Sequence, residues 1–226
     1  MGMLIRSYNE VRSIMKPGDV IAFSGKGGFS DLIKNFTRSN VSHVGVIMQT
    51  NSPLEGKDDD FDNLIIESTS MDGFSGVVRS RLSKRVASYS GDMWHLPLRK
   101  DFSGDKDMLN AFYSFLREQE GRLYDTIQAI KSALDIFDFV HGPGYNHEDF
   151  SRFFCSELAT AALEAAKVFG KVNVNSSEVT PIDLCRMNIF ADDYHLIKFL
   201  TGDCEGRPEE KTIRRYNSLD PAGWAN

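Results

Sequence analysis

Phe153-Phe154-Cys155-Ser156-Glu157-Leu158 runs without a break into Ala159-Thr160-Ala161-Ala162-Leu163-Glu164-Ala165-Ala166. Ala and Leu are strong helix formers, and no Gly or Pro interrupts them. The stretch therefore predicts a helix, closed by Gly170. Cys155 falls at or near its N-terminus, where backbone N–H groups lack intrahelical partners and the helix dipole is positive. Such a setting raises a thiol's thiolate fraction and leaves N–H groups to hold a developing oxyanion. A cysteine in an Ala-rich helix can equally be a small buried hydrophobe. The choice between the two rests on whether the chain supplies a base and a group to orient it.

On the N-terminal side, the helical period continues back to Asp105. Leu109, Phe112, Tyr113 and Leu116 share one helix face, and Gly121 ends that helix. Ile127, Ile130, Leu134 and Phe137 mark a further helical stripe, and His141-Gly142-Pro143-Gly144-Tyr145-Asn146 is a loop leading to Cys155. On the C-terminal side, Thr180-Pro181 is an N-cap followed by proline at the first helical position, opening a short helix through Met187. Tyr194 to Leu200 reads as a last strand.

The first hundred residues have a different texture. Lys16-Pro17-Gly18-Asp19 is turn chemistry. Val20-Ile21-Ala22-Phe23-Ser24 reads as a strand, followed by the glycine loop Gly25 to Gly28 and a short helix from Ser30 to Thr37. That loop lacks the spacing of a P-loop. Ser42 to Met48 is a continuous apolar run, a strand buried on both faces. Gln49 to Asp62 is polar and acidic and reads as a surface loop. Leu64 to Thr69, Gly76 to Arg79 and Met93 to Leu98 are further strands, with a short helix over Leu82 to Tyr89. Strands early and helices late predict an α+β fold, an antiparallel sheet with helices packed on it. Residues 1–201 are expected to form one domain and 202–226 a polar tail.

With 226 residues, 41% hydrophobic and 26% charged, the composition is that of an ordinary globular protein. A net charge of −6 without a basic face argues against nucleic acid as a partner. Three widely spaced cysteines, Cys155, Cys185 and Cys204, are no disulfide framework and fit a reducing compartment. No apolar run has the length of a signal peptide or a membrane span. The expected location is cytoplasmic, with a phage or virus origin left open. No Cys-x-x-Cys or His-x-x-x-His spacing supports a metal site, and no cofactor is expected.

Five histidines are candidate bases: His43, His95, His141, His147 and His195. His43 opens a buried strand, where an imidazole must find a polar partner. If strands 42–48 and 62–69 pair as a hairpin, a register with Ile47 opposite Asn63 sets His43 opposite Glu67, within side-chain reach. Glu67 lies on the face opposite that of Leu64 and Ile66. The three together have the logic of a nucleophile–base–orienter triad, with Cys155, His43 and Glu67 in those roles. His141 and His147 are rivals from the loop before Cys155. His95 and His195 lie in strands without a nearby carboxylate pattern. Cys185 is read as packing and Cys204 as part of the tail.

The order Lys16-Pro17-Gly18-Asp19-Val20-Ile21-Ala22-Phe23, Ser42-His43-Val44-Gly45-Val46-Ile47, Ile66-Glu67-Ser68, Gly121-Arg122-Leu123-Tyr124-Asp125 and Phe154-Cys155-Ser156-Glu157-Leu158 resembles the circularly permuted NlpC-type papain-like proteins, the YiiX/YaeF-like branch. The resemblance spans roughly residues 15 to 200. It implies a papain-like sheet or partial barrel, with the histidine strand ahead of the cysteine helix in the chain. It implies Cys155 as nucleophile, His43 as base, Glu67 as third polar residue, and Tyr124 as a residue lining the substrate cleft; Ser42 and Phe154, beside His43 and Cys155, are further candidate substrate contacts. The insert from Pro53 to Asp62 and the tail after Gly202 depart from it. The implied activity is hydrolysis or transfer at an amide or ester carbonyl of a peptide-like or acyl-bearing small substrate. Three classes stay open: a cysteine amidase or peptidase; an acyltransferase or lipid hydrolase, for which the 16 phenylalanines offer an acyl groove; and a non-catalytic binding domain.

Overall fold

The computed structural model describes residues 2–25, 30, 34, 37–54, 57–71, 73–123, 153–170 and 174–199, with the backbone alone at 52–54, 57–61, 153, 154 and 178. The fold is α+β. Its frame is a seven-stranded sheet of β1 (Gly2–Ile5), β2 (Val20–Ser24), β3 (His43–Leu54), β4 (Lys57–Met71), β5 (Phe74–Arg81), β6 (Asp92–Leu96) and β7 (Asp193–Lys198), ordered β1-β7-β6-β2-β3-β4-β5. Five α-helices have described bounds: α1 (Tyr8–Val11), α2 (Leu82–Ser88), α3 (Lys106–Gln119), α4 (Phe153–Ala165) and α5 (Pro181–Arg186). None is long and apolar enough to cross a membrane.

Alternation along the central strands divides the core into two layers. Val20, Ala22, Val44, Val46, Ile66, Trp94 and Leu96 face one side, where they meet Met108, Phe112 and Leu116 of α3 and Leu158, Ala159, Ala162 and Leu163 of α4. Ile21, Phe23, Ile47, Ile65 and Met93 face the other, against Tyr8 and Val11 of α1 and Leu82 and Val86 of α2. Burial of both faces is why these strands read as continuous apolar runs. The predicted caps are in place: Asp105 accepts from the N–H groups of Asp107 and Met108, and Thr180 caps α5 ahead of Pro181. Ser30, Lys34 and Thr37 are helical, as the short helix over 30–37 predicts.

Four expectations need correction. First, the sheet is mixed: β1 runs parallel to β7, pairing Leu4 with His195. Four residues at the chain's start carry too little alternation to announce a strand. Second, 49–62 is not a loop. β3 runs to Leu54 and β4 begins at Lys57, through register shifts after Ile47, Gln49 and Pro53. Ladder hydrogen bonds need no apolar side chains, so an acidic run can pair. Third, Asp62 is buried. It accepts from Tyr8 Oη at 2.5 Å and from Ser83 N and Oγ, joining α1 to the start of α2. Fourth, Phe23, Phe102, Phe112 and Phe190 are buried in the core, so these phenylalanines line no groove. The stripe from Ile127 to Phe137, the loop with His141 and His147, Cys204 and the tail lie outside the described residues.

Candidate active site

Cys155 is in the first turn of α4, 1% exposed. The helix packs on β3 and β4. The Ser156 hydroxyl donates to Val179 O at 2.5 Å, tying the start of α4 to the segment before α5. Small residues on the packed face, Ala159 and Ala162, let the helix approach the sheet closely.

His43 is the first residue of β3, buried against Phe23 with ring centroids 5.1 Å apart. Its Nε2 lies 2.7 Å from Glu67 Oε2. The other nitrogen, Nδ1, is buried and closes no linear hydrogen bond, while Cys155 lies within range to act on the ring by both charge and hydrogen bonding. Burial disfavours a charged imidazole here; the Cys155 charge and hydrogen bond, then Glu67, outweigh it and hold the His43 pKa up at about 9.

The strand pairing differs in detail from the expected one. Val46 pairs with Ile66 and Ile47 with Ile65, a slip of two residues. A slip of two preserves the face of every side chain, whereas a slip of one would invert it. His43 and Glu67 are therefore diagonal neighbours, and the ladder brings Glu67 toward Gly45. A Cβ on Gly45 would lie 2.7 Å from Ile65 Cδ1 and 3.2 Å from Glu67 Cβ. The missing side chain leaves the room in which Glu67 leans across to His43. Gly45→Ala is expected to destabilise the fold by about 1–3 kcal/mol through overpacking and to slow Cys155 alkylation. Urea unfolding and thiol-labelling rates check both. At Gly104 an added Cβ meets nothing within 4 Å, so Gly104→Ala should leave both unchanged.

Glu67 is fully buried and doubly held. Arg85 of α2 donates Nε to Oε1 at 2.6 Å and Nη2 to Oε2 at 3.0 Å. Burial opposes the carboxylate's charge, but the His43 hydrogen bond and Arg85 outweigh it and bring the pKa down to about 2. The guanidinium sits over Phe23 at 5.2 Å and Tyr89 at 5.1 Å. Sequence reasoning missed Arg85. Its only local signal is a cation on a short helix, in a segment with Arg81, Lys84 and Arg85 to choose from.

Of the expected substrate contacts, Ser42 is buried, its Oγ accepting from Gly25 N at 2.8 Å. Tyr124 and the Phe154 side chain lie outside the described residues. His95 and His195 do have a carboxylate. His95 Nε2 is 2.8 Å from Asp19 Oδ2, and His95 Nδ1 is 3.1 Å from His195 Nδ1. Cys185 is buried packing, and burial pushes its thiol pKa well up. Among the described residues no cluster of His, Cys, Asp and Glu could hold a metal ion.

No protein-family profile matches the chain, and no curated protein matches it significantly. Among solved structures, it is similar to the metalloprotein YiiX from Escherichia coli O157:H7, with a TM-score of 0.44 and 17% identity over 67% of this chain and 66% of that one. The chain thus spans just under two thirds of that relative's length, and at this TM-score the two are not shown to share a fold.

Proposed function

We propose that this protein is a cysteine hydrolase of the circularly permuted, NlpC-type papain-like class, acting on an amide bond of a peptide-like or acyl-bearing small substrate. The observation that carries the reading is the buried His43. One nitrogen is held by Glu67 at 2.7 Å, and the ring is kept protonated to about pH 9 with the Cys155 charge as the largest favourable contribution. A histidine held by a carboxylate and coupled to a cysteine at a helix start is the arrangement that activates a thiol nucleophile.

The chemistry follows from these groups. The Cys155 thiolate attacks the carbonyl carbon, forming a C–S bond and placing charge on the carbonyl oxygen. Backbone N–H groups in the first turn of α4, that of Cys155 included, hold this oxyanion. Collapse breaks the C–N bond as His43 passes its proton to the departing amine. Water then adds to the thioester, His43 accepts its proton, and the carboxylic acid leaves as the thiolate is restored. Glu67 keeps the imidazole in one orientation throughout.

A second reading, a non-catalytic binding domain, draws on the burial of Cys155, 1% exposed. Acylation by p-nitrophenyl acetate separates the two. The proposal expects a nitrophenolate burst and an acetyl group mapped to Cys155, both absent in Cys155→Ala. Decay of the adduct in water supports a hydrolase; decay only on adding an amine or lipid acceptor supports a transferase. No acetyl-Cys155 in the wild type would overturn the enzyme reading and leave the binding domain.

A further inference from the structure

The strongest unexplained feature beside the triad is the way Glu67 is gripped from the far side. Arg85 takes both carboxylate oxygens, and Oε2 is shared with His43 Nε2. The grip fixes the carboxylate plane, because two N–H groups in a rigid fork meet two oxygens. Arg85 is itself fixed. Its side chain is 11% exposed, and its guanidinium lies over Phe23 and Tyr89, whose rings meet edge to face at 5.0 Å. Phe23 also touches the His43 ring. One aromatic residue thus backs both the base and the clamp on its orienter.

We infer that Arg85 is a positioning residue of the site, fixing Glu67 bidentately so that a single carboxylate oxygen is presented to His43. The inference rests on the proposed cysteine chemistry. It deepens that chemistry from three residues to four, with alternating charges along Arg85, Glu67, His43 and Cys155. The groups that bear on Glu67 are His43 from β3 and Arg85 from α2, and Cys155 of α4 bears on His43. Across the ladder to β3, Glu67 comes up against Gly45, which has no side chain to hold it, so the carboxylate needs an anchor from another element to keep one rotamer. α2 supplies it. Lysine cannot substitute fully, since an ammonium is a point charge without the fork.

The test is Cys155 alkylation by iodoacetamide between pH 4 and 10, read by peptide mass spectrometry, in wild type, His43→Ala, Arg85→Met and Arg85→Lys. Removing the cation disfavours every negative charge in the row. Arg85→Met should therefore move the acid limb of the profile up by about 1–2 pH units and lower the rate at pH 6 about tenfold or more. Arg85→Lys keeps the charge and loses the fork. It should restore most of the acid limb but less than half of the rate. A helix residue with only a packing role would lower stability and move neither limb nor rate. If wild type reacts no faster than His43→Ala, the cysteine-hydrolase reading itself fails. If wild type is His43-dependent but Arg85→Met matches it in limb and rate, the role of Arg85 alone is overturned. Should Arg85→Met not fold, Arg85→Lys decides: a rate equal to wild type overturns the inference, and a lowered rate with a normal acid limb supports it.

Discussion

His43→Ala will slow alkylation of Cys155 at pH 6 by about 100-fold. A cysteine with no cationic neighbour ionises near pH 8.5, so that about one molecule in 300 is thiolate at pH 6. In the wild type, burial disfavours a charged His43, but Cys155 and then Glu67 outweigh it and raise its pKa to about 9. On the proposed activation of Cys155 by His43, removing the imidazole leaves a thiol of ordinary reactivity. Two pH effects follow, and both decline as pH rises through about 9. Acylation by an amide declines above about pH 9, where His43 no longer holds a proton for the leaving amine. Folding stability also responds: a raised histidine pKa contributes stability that is complete below about 6.5, the unfolded value, and is lost as pH rises through 9. Equal alkylation rates in wild type and variant would remove the thiolate–imidazolium pair from the account.

Asp19→Ala will cost about 3–5 kcal/mol of stability, since it leaves several buried hydrogen-bond donors without their acceptor. Asp19 is 1% exposed. Oδ2 accepts from Lys16 N at 3.0 Å and meets His95 Nε2 at 2.8 Å, while Oδ1 accepts from Leu98 N at 2.8 Å. Truncation leaves three donors without an acceptor at the start of the central strand. The chain of contacts continues to His195, whose Nδ1 faces His95 Nδ1 at 3.1 Å, a gap with room for one proton. Burial first, then the charge on His95, lowers the His195 pKa to about 4. Here the sign is reversed from His43. Between about 6.5 and 4 the unfolded chain binds the proton that the folded chain refuses, so stability falls as pH drops through that window. Urea midpoints from pH 7 to 4.5 should show this slope in the wild type and a flatter one in His195→Phe. An Asp19→Ala protein within about 1 kcal/mol of wild type would mean that water replaces the carboxylate, against the burial.

The comparison of His43 with His95 shows what a one-dimensional reading can reach. Glu67 is found from His43 because alternation in adjacent strands fixes the side of the sheet, and side survives a register slip of two. Asp19 is not found from His95, because the two are 76 residues apart and the carboxylate sits in a turn, where Pro17-Gly18-Asp19 already explains itself as turn chemistry. Arg85 escaped for a related reason. A cation on a short helix has solvent as its default partner, and only the docking of α2 on β4 turns it toward Glu67.

The sequence by itself determined the local elements of this protein: the strand at Val20–Ser24, the helix capped by Asp105, the Thr180-Pro181 start of α5, and the helix that carries Cys155 near its beginning. Those follow from side-chain period, backbone propensity and capping, which are properties of neighbours in the chain. Tertiary structure decided the parallel pairing of β1 with β7, the paired strands in the acidic segment, the two-residue slip between β3 and β4, and the four-membered row from Arg85 to Cys155. Each depends on which surfaces meet across the sheet. Burial makes such meetings selective, because a buried charge without its partner costs several kcal/mol while an exposed one costs almost nothing.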